Sequence, residues 1–116
     1  MSAKSTITLE VSLDENKMPE TITWSATQSE ADQARDARAF MLSLWDPAER
    51  SALRIDLWTK KMMVDEMNDF FFQTMMTMSD TYQRATGNED LVKELKTFAR
   101  DFYKKAQDKL QAESNK

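Results

Sequence analysis

At 116 residues the chain has the size of one domain, and 41% hydrophobic with 31% charged residues is a composition that folds. It contains no cysteine, no histidine and a single glycine, Gly87, which removes disulfides, thiolate chemistry, Cys/His zinc sites, Ser-His-Asp triads and glycine-rich phosphate loops. A net charge of −4 and a pI near 4.9 argue against nucleic acid or anionic membrane as main partners, both of which demand basic surface.

In chain order, Ile7, Leu9, Val11 and Leu13 alternate with Thr8, Glu10 and Ser12, predicting a half-buried strand over about 6–13. Asp14–Glu20 is turn chemistry closed by Pro19, and a second strand follows over 21–26 with Ile22, Trp24 and Ala26 on one side. Pairing that keeps both apolar rows on one face sets Val11 opposite Trp24 or Ile22. Thr27–Arg38 has no apolar period and is expected to be a polar connection, with a helical turn that Ser29 could start. Phe40, Leu42 and Leu44 then alternate over 39–45. Asp46-Pro47 opens a turn, and Leu53, Ile55 and Leu57 alternate back over 52–59, with Leu42 facing Ile55.

From Val64 the period becomes helical. Val64, Met67, Phe71, Met75, Met78 and Tyr82 form one stripe of a helix over 64–86, with Asp65 and Glu66 at its positive end. Gly87 suits a left-handed helix end and Asn88 the next cap. Leu91, Leu95, Phe98, Ala99, Phe102, Ala106 and Leu110 make a second stripe over 89–112. The expected fold is one α+β domain over 1–116: a four-stranded antiparallel sheet (β-β-β-β) followed by two long helices packed on one face. Ile55 and Leu57 should then point at the helices, with Phe71 and Phe102 against the sheet.

The acidic groups Asp14/Glu15, Asp65/Glu66/Asp69 and Glu89/Asp90 lie in a turn and in first helical turns, where acids have structural roles, so neither a metal nor a catalytic carboxylate pair is expected. Large apolar groups placed where periodicity predicts exposure are more informative. Met41, Trp45 and Trp58 share the polar face of the second strand pair with Arg54, and indole and guanidinium are common interface anchors. On the first helix Phe72 and Met76 lie about 100–150° from the centre of the apolar stripe, one turn apart. These six residues form the candidate protein-interaction surface, for a partner or for a homo-oligomer. No enzyme activity and no cofactor are expected.

Taken together, the segments ITLEVSLDEN, ITWSA, AFMLSLWD, LRIDLWTK, VDEM and YQRATG resemble the gliding-motility protein C (GldC) family of Bacteroidota, from about Thr6 to Gly87. RIDLWTK and VDEM are the most specific of them, and beyond Gly87 only helical character matches. Two positions depart from the family pattern: Met63 stands where proline is common, and Phe72 where histidine is common. The resemblance implies a small, soluble, cytoplasmic accessory protein of the gliding apparatus, linked to type IX secretion, without catalytic residues and acting on protein partners. The element order is also similar to SecB-type export chaperones, which gives the alternative of a holdase for secreted or motility proteins. The lack of an apolar leader and of any uncharged run longer than Phe70–Ser79 fits a cytoplasmic chain without membrane insertion.

Overall fold

The computed structural model describes residues 3–27 and 33–115. Contacts gather them into two compact units that divide between Met62 and Met63. Among its described residues the first contains the strands β1 (Ile7–Leu13), β2 (Pro19–Ala26), β3 (Arg35–Ala37), β4 (Ala39–Asp46) and β5 (Ser51–Trp58). The second is the pair α1 (Val64–Thr86) and α2 (Glu89–Ser114). The class is α+β, as the alternation of periods predicts.

β1 and β2 pair antiparallel with Ile7 opposite Ala26, Leu9 opposite Trp24 and Val11 opposite Ile22, so their apolar rows share a face. The turn between them is built on Asp14. Its Oδ1 accepts the Asn16 and Met18 N–H groups at 2.8 and 3.0 Å, and Lys17 takes a left-handed φ of 62°. The ladder shifts register between Ser12 and Leu13, which brings Pro19 into the strand.

The single four-stranded sheet expected from the sequence does not form. Instead β1-β2-β3 make one antiparallel sheet and β4-β5 another. The reason is topological: β2 has two edges, β1 occupies one, and β3 takes the other through Ile22–Ala37 and Trp24–Arg35 pairs. No edge of β2 is left for β4. β3 lies in the stretch expected to be a polar connection, because backbone bonds can add a short strand to an edge without any side-chain alternation. Ser29, the expected start of a helical turn, lies outside the described residues.

β4 and β5 form a regular hairpin in which Phe40 faces Leu57, Leu42 faces Ile55 and Leu44 faces Leu53. Asp46 Oδ1 accepts the Ala48 and Glu49 N–H groups to hold the turn, and Arg50 ends it at φ 51°. The Thr59 N–H donates to the Arg38 carbonyl at 2.8 Å and closes the open end. Ile55 remains exposed and Leu57 half-buried.

α1 starts at Met63, whose N–H donates to the Glu66 carboxylate at 3.2 Å. Methionine offers no oxygen in return, so only half of a capping box is present. The helix ends at Gly87 with φ 73° and its N–H on the Gln83 carbonyl. α2 follows after Asn88, which makes no side-chain cap, and runs two residues beyond its expected end. The helices lie antiparallel, since partners step backward on α1 as they step forward on α2: Tyr82–Asn88, Asp80–Lys96, Phe72–Tyr103 and Asp69–Tyr103. Ser79 and Ala99, both fully buried, mark the small residues that let the axes approach. Phe71 and Phe102, expected to be core, are exposed.

Candidate interaction surfaces

The polar face of the β4–β5 hairpin presents four cross-strand rows: Ala39/Trp58, Met41/Asp56, Ser43/Arg54 and Trp45/Ala52. Strand alternation puts all eight side chains on one side. Trp58 and Trp45 stand at opposite ends, 59% and 61% exposed, which is high for indoles in a folded protein. Between them Arg54 and Asp56 form a forked pair, with Nη2 to Oδ1 at 3.0 Å and Nε to Oδ2 at 3.3 Å. Both partners are about half exposed, so the bridge fixes the guanidinium's direction more than it stabilises the fold. Met41, across from Asp56, is half-buried. The result is a flat strip with an apolar anchor at each end and a neutralised polar centre. Such a strip has the composition of an interface that holds another surface.

Phe72 and Met76 fall elsewhere. Phe72 stacks on Tyr103 of α2, with ring centroids 4.7 Å apart and planes at 29°, and both Phe72 and Met76 are half-buried. Phe72 thus takes part in the seam between the helices, one turn from Met76 on the same line of α1. α1 carries two apolar lines about 100° apart; hydrophobicity favours the richer one as core, whereas the helix neighbour uses the other. Beside the seam the Tyr103 hydroxyl donates to the Asp69 carboxylate. That bond and the Asp69 charge push the Tyr103 pKa above its ordinary value. Lys96 reaches back from α2 to Asp80 at 2.7 Å.

The features not anticipated are therefore β3, the full burial of Ser79 on α1 and an open apolar face on the helix pair. The signal for the last is present as Leu91, Leu95, Phe98 and Phe102 at 4-3-4 spacing, but periodicity alone directs that row at the sheet. Among the described residues no group of three or more His, Cys, Asp or Glu side chains converges as metal ligands. None of the helices is long and apolar enough to cross a membrane.

A family model described as gliding motility-associated protein GldC-like matches residues 19–108. The match leaves out β1 and reaches through most of α2, beyond Gly87, where the resemblance of short segments ends. No curated protein and no solved structure matches the chain. With β2 through most of α2 inside one continuous match, the chain belongs to the GldC-like family of gliding motility-associated proteins.

Proposed function

We propose that this chain is a non-enzymatic, cytoplasmic accessory protein of gliding motility, linked to type IX secretion and acting by contact with other proteins of that machinery. Membership of a motility-associated family supplies the setting. The observation that carries the contact reading is the strip Trp45, Arg54–Asp56, Trp58, which holds two exposed indoles and an oriented guanidinium on a face that closes no core of its hairpin. A rigid indole loses little conformational freedom on contact, the Asp56 fork already orients the Arg54 guanidinium, and both residue types concentrate binding energy where water is excluded.

The test is complementation of a deletion strain. The wild-type gene restores gliding, whereas Trp45→Ala combined with Trp58→Ala fails to restore it while the purified variant keeps its circular-dichroism spectrum. Full restoration by the folded double variant would remove the strip from the function.

A second reading, a SecB-like holdase, draws support from the number of large apolar side chains left exposed on both units, Ile7, Leu44, Leu53 and Phe98 among them. Suppression of client aggregation at stoichiometric protein, abolished by charge placed on those faces, would favour the holdase. Absence of suppression would leave the accessory reading alone.

A further inference from the structure

The helix pair buries one side of each helix and leaves another open. On α1, Phe71, Met78 and Tyr82 are displaced about 100° from the line that meets α2; on α2, Leu91, Phe98 and Phe102 are displaced about 100° from the line that meets α1. The two displacements have the same sense. Because the helices are antiparallel, they bring both rows to the same side and make one continuous apolar face. These six side chains are 36–59% exposed, with Phe98 the most open. At roughly 200 Å² for a large side chain they offer on the order of 550 Å², most of the ~800 Å² that each partner gives to a standard interface.

The relief and charge of this face are matched to themselves. Phe98 stands between two hollows of similar size. One, of about 380 Å³, is lined by Tyr82, Leu91, Glu94 and Leu95 with Phe98. The other, of about 430 Å³, is lined by Phe102, Lys105, Ala106 and Lys109 with Phe98 and Asp101. The first carries an acidic rim, which Asp90 extends by one turn. The second carries two lysines, with Asp101 one turn from Lys105 of its own chain. A two-fold axis beside residue 100, perpendicular to α2, exchanges the hollows.

We infer that this face joins two copies of the chain, α2 against α2, antiparallel. In that arrangement Phe98 of one copy meets Phe102 of the other, Leu95 lies along the aliphatic stem of Lys105, and Glu94 and Asp90 stand beside Lys105 and Lys109 across the interface. A parallel pairing would oppose like charges, so charge sets the direction as apolar area sets the contact. The inference is independent of the motility reading, because the mass of the assembly is measured without any motility partner.

The experiment is sedimentation equilibrium on the full chain over a wide concentration range. The wild type should be a dimer that dissociates on dilution, and Phe98→Asp a monomer with its helical circular-dichroism signal intact. Glu94→Lys and Lys105→Glu should each weaken the dimer roughly tenfold, as reversal of two symmetry-related surface pairs implies. Combined in one chain they should restore affinity to within about twofold, since each pair re-forms with its signs exchanged. The double charge reversal discriminates even if Phe98→Asp disturbs folding. A wild type that stays monomeric at millimolar concentration would overturn the inference. So would a Phe98→Asp dimer, or a double reversal no tighter than the single ones.

Discussion

Asp14 holds the β1–β2 turn through two backbone N–H groups and meets the Lys60 ammonium at 3.4 Å. The Met18 N–H is the largest cause that lowers its pKa below the ordinary 3.8; burial opposes it, and Asn16 and Lys60 add to it. A carboxyl with a lowered folded pKa adds stability above its unfolded value, and that stability is lost as pH falls through the folded value. Asp14→Ala should therefore lower the urea midpoint at pH 6, and the gap to wild type should narrow as pH drops below 3.8. A gap that is constant with pH would assign the effect to turn geometry alone. Thr59 presents the opposite case. It is 2% exposed, and its Oγ1 finds no hydrogen-bond partner among the described residues. Thr59→Val replaces a stranded hydroxyl by a methyl group of the same shape, so denaturant titration should show a gain of about 1 kcal/mol.

At the scale of elements, the helix pair depends on small residues at its closest approach. Ala99→Leu forces a branched side chain into a fully buried position of α2, and it should cost about 1–3 kcal/mol in reversible unfolding. Strand register was legible in the sequence wherever two constraints agreed. Alternation and the Asp46-Pro47 turn together imply Leu42 opposite Ile55, and the ladder has that pair. β3 was not legible, because its three residues add backbone bonds to β2 without an apolar signal. The rotation of α1 was not legible either: Phe71, Met75 and Met78 make a stronger stripe than Phe72, Met76 and Ser79, and hydrophobicity does not say which stripe meets the neighbouring helix. The strip of Trp45, Arg54 and Trp58 was legible because strand alternation alone places it on the face away from the apolar row.

Across the whole molecule, both units leave apolar side chains open, and the nine methionines report on which of them stay open in solution. Met18, Met63 and Met78 are exposed, whereas Met67, Met75 and Met76 are half-buried. Limited peroxide treatment followed by peptide mass mapping should oxidise the first group ahead of the second. Met78 lies on the open face of the helix pair beside Phe71 and Tyr82, so its oxidation should slow as protein concentration rises. That of Met18, in the β1–β2 turn, should not change. Equal concentration dependence at the two sites would indicate general shielding and no specific face.

Three of the antiparallel pairs join neighbours through a short connection: residues 14–18 between β1 and β2, 47–50 between β4 and β5, and Gly87-Asn88 between the helices. Every one can therefore close before distant parts of the chain have met, and the entropy of loop closure stays small. Folding speed follows from this arrangement. Local pairings of this kind form within microseconds, and a chain assembled mainly from them belongs with the fast folders. On a ribosome β1 and β2 could pair while the helices were still being synthesised, so the newborn chain need not keep its strands waiting for the C-terminus.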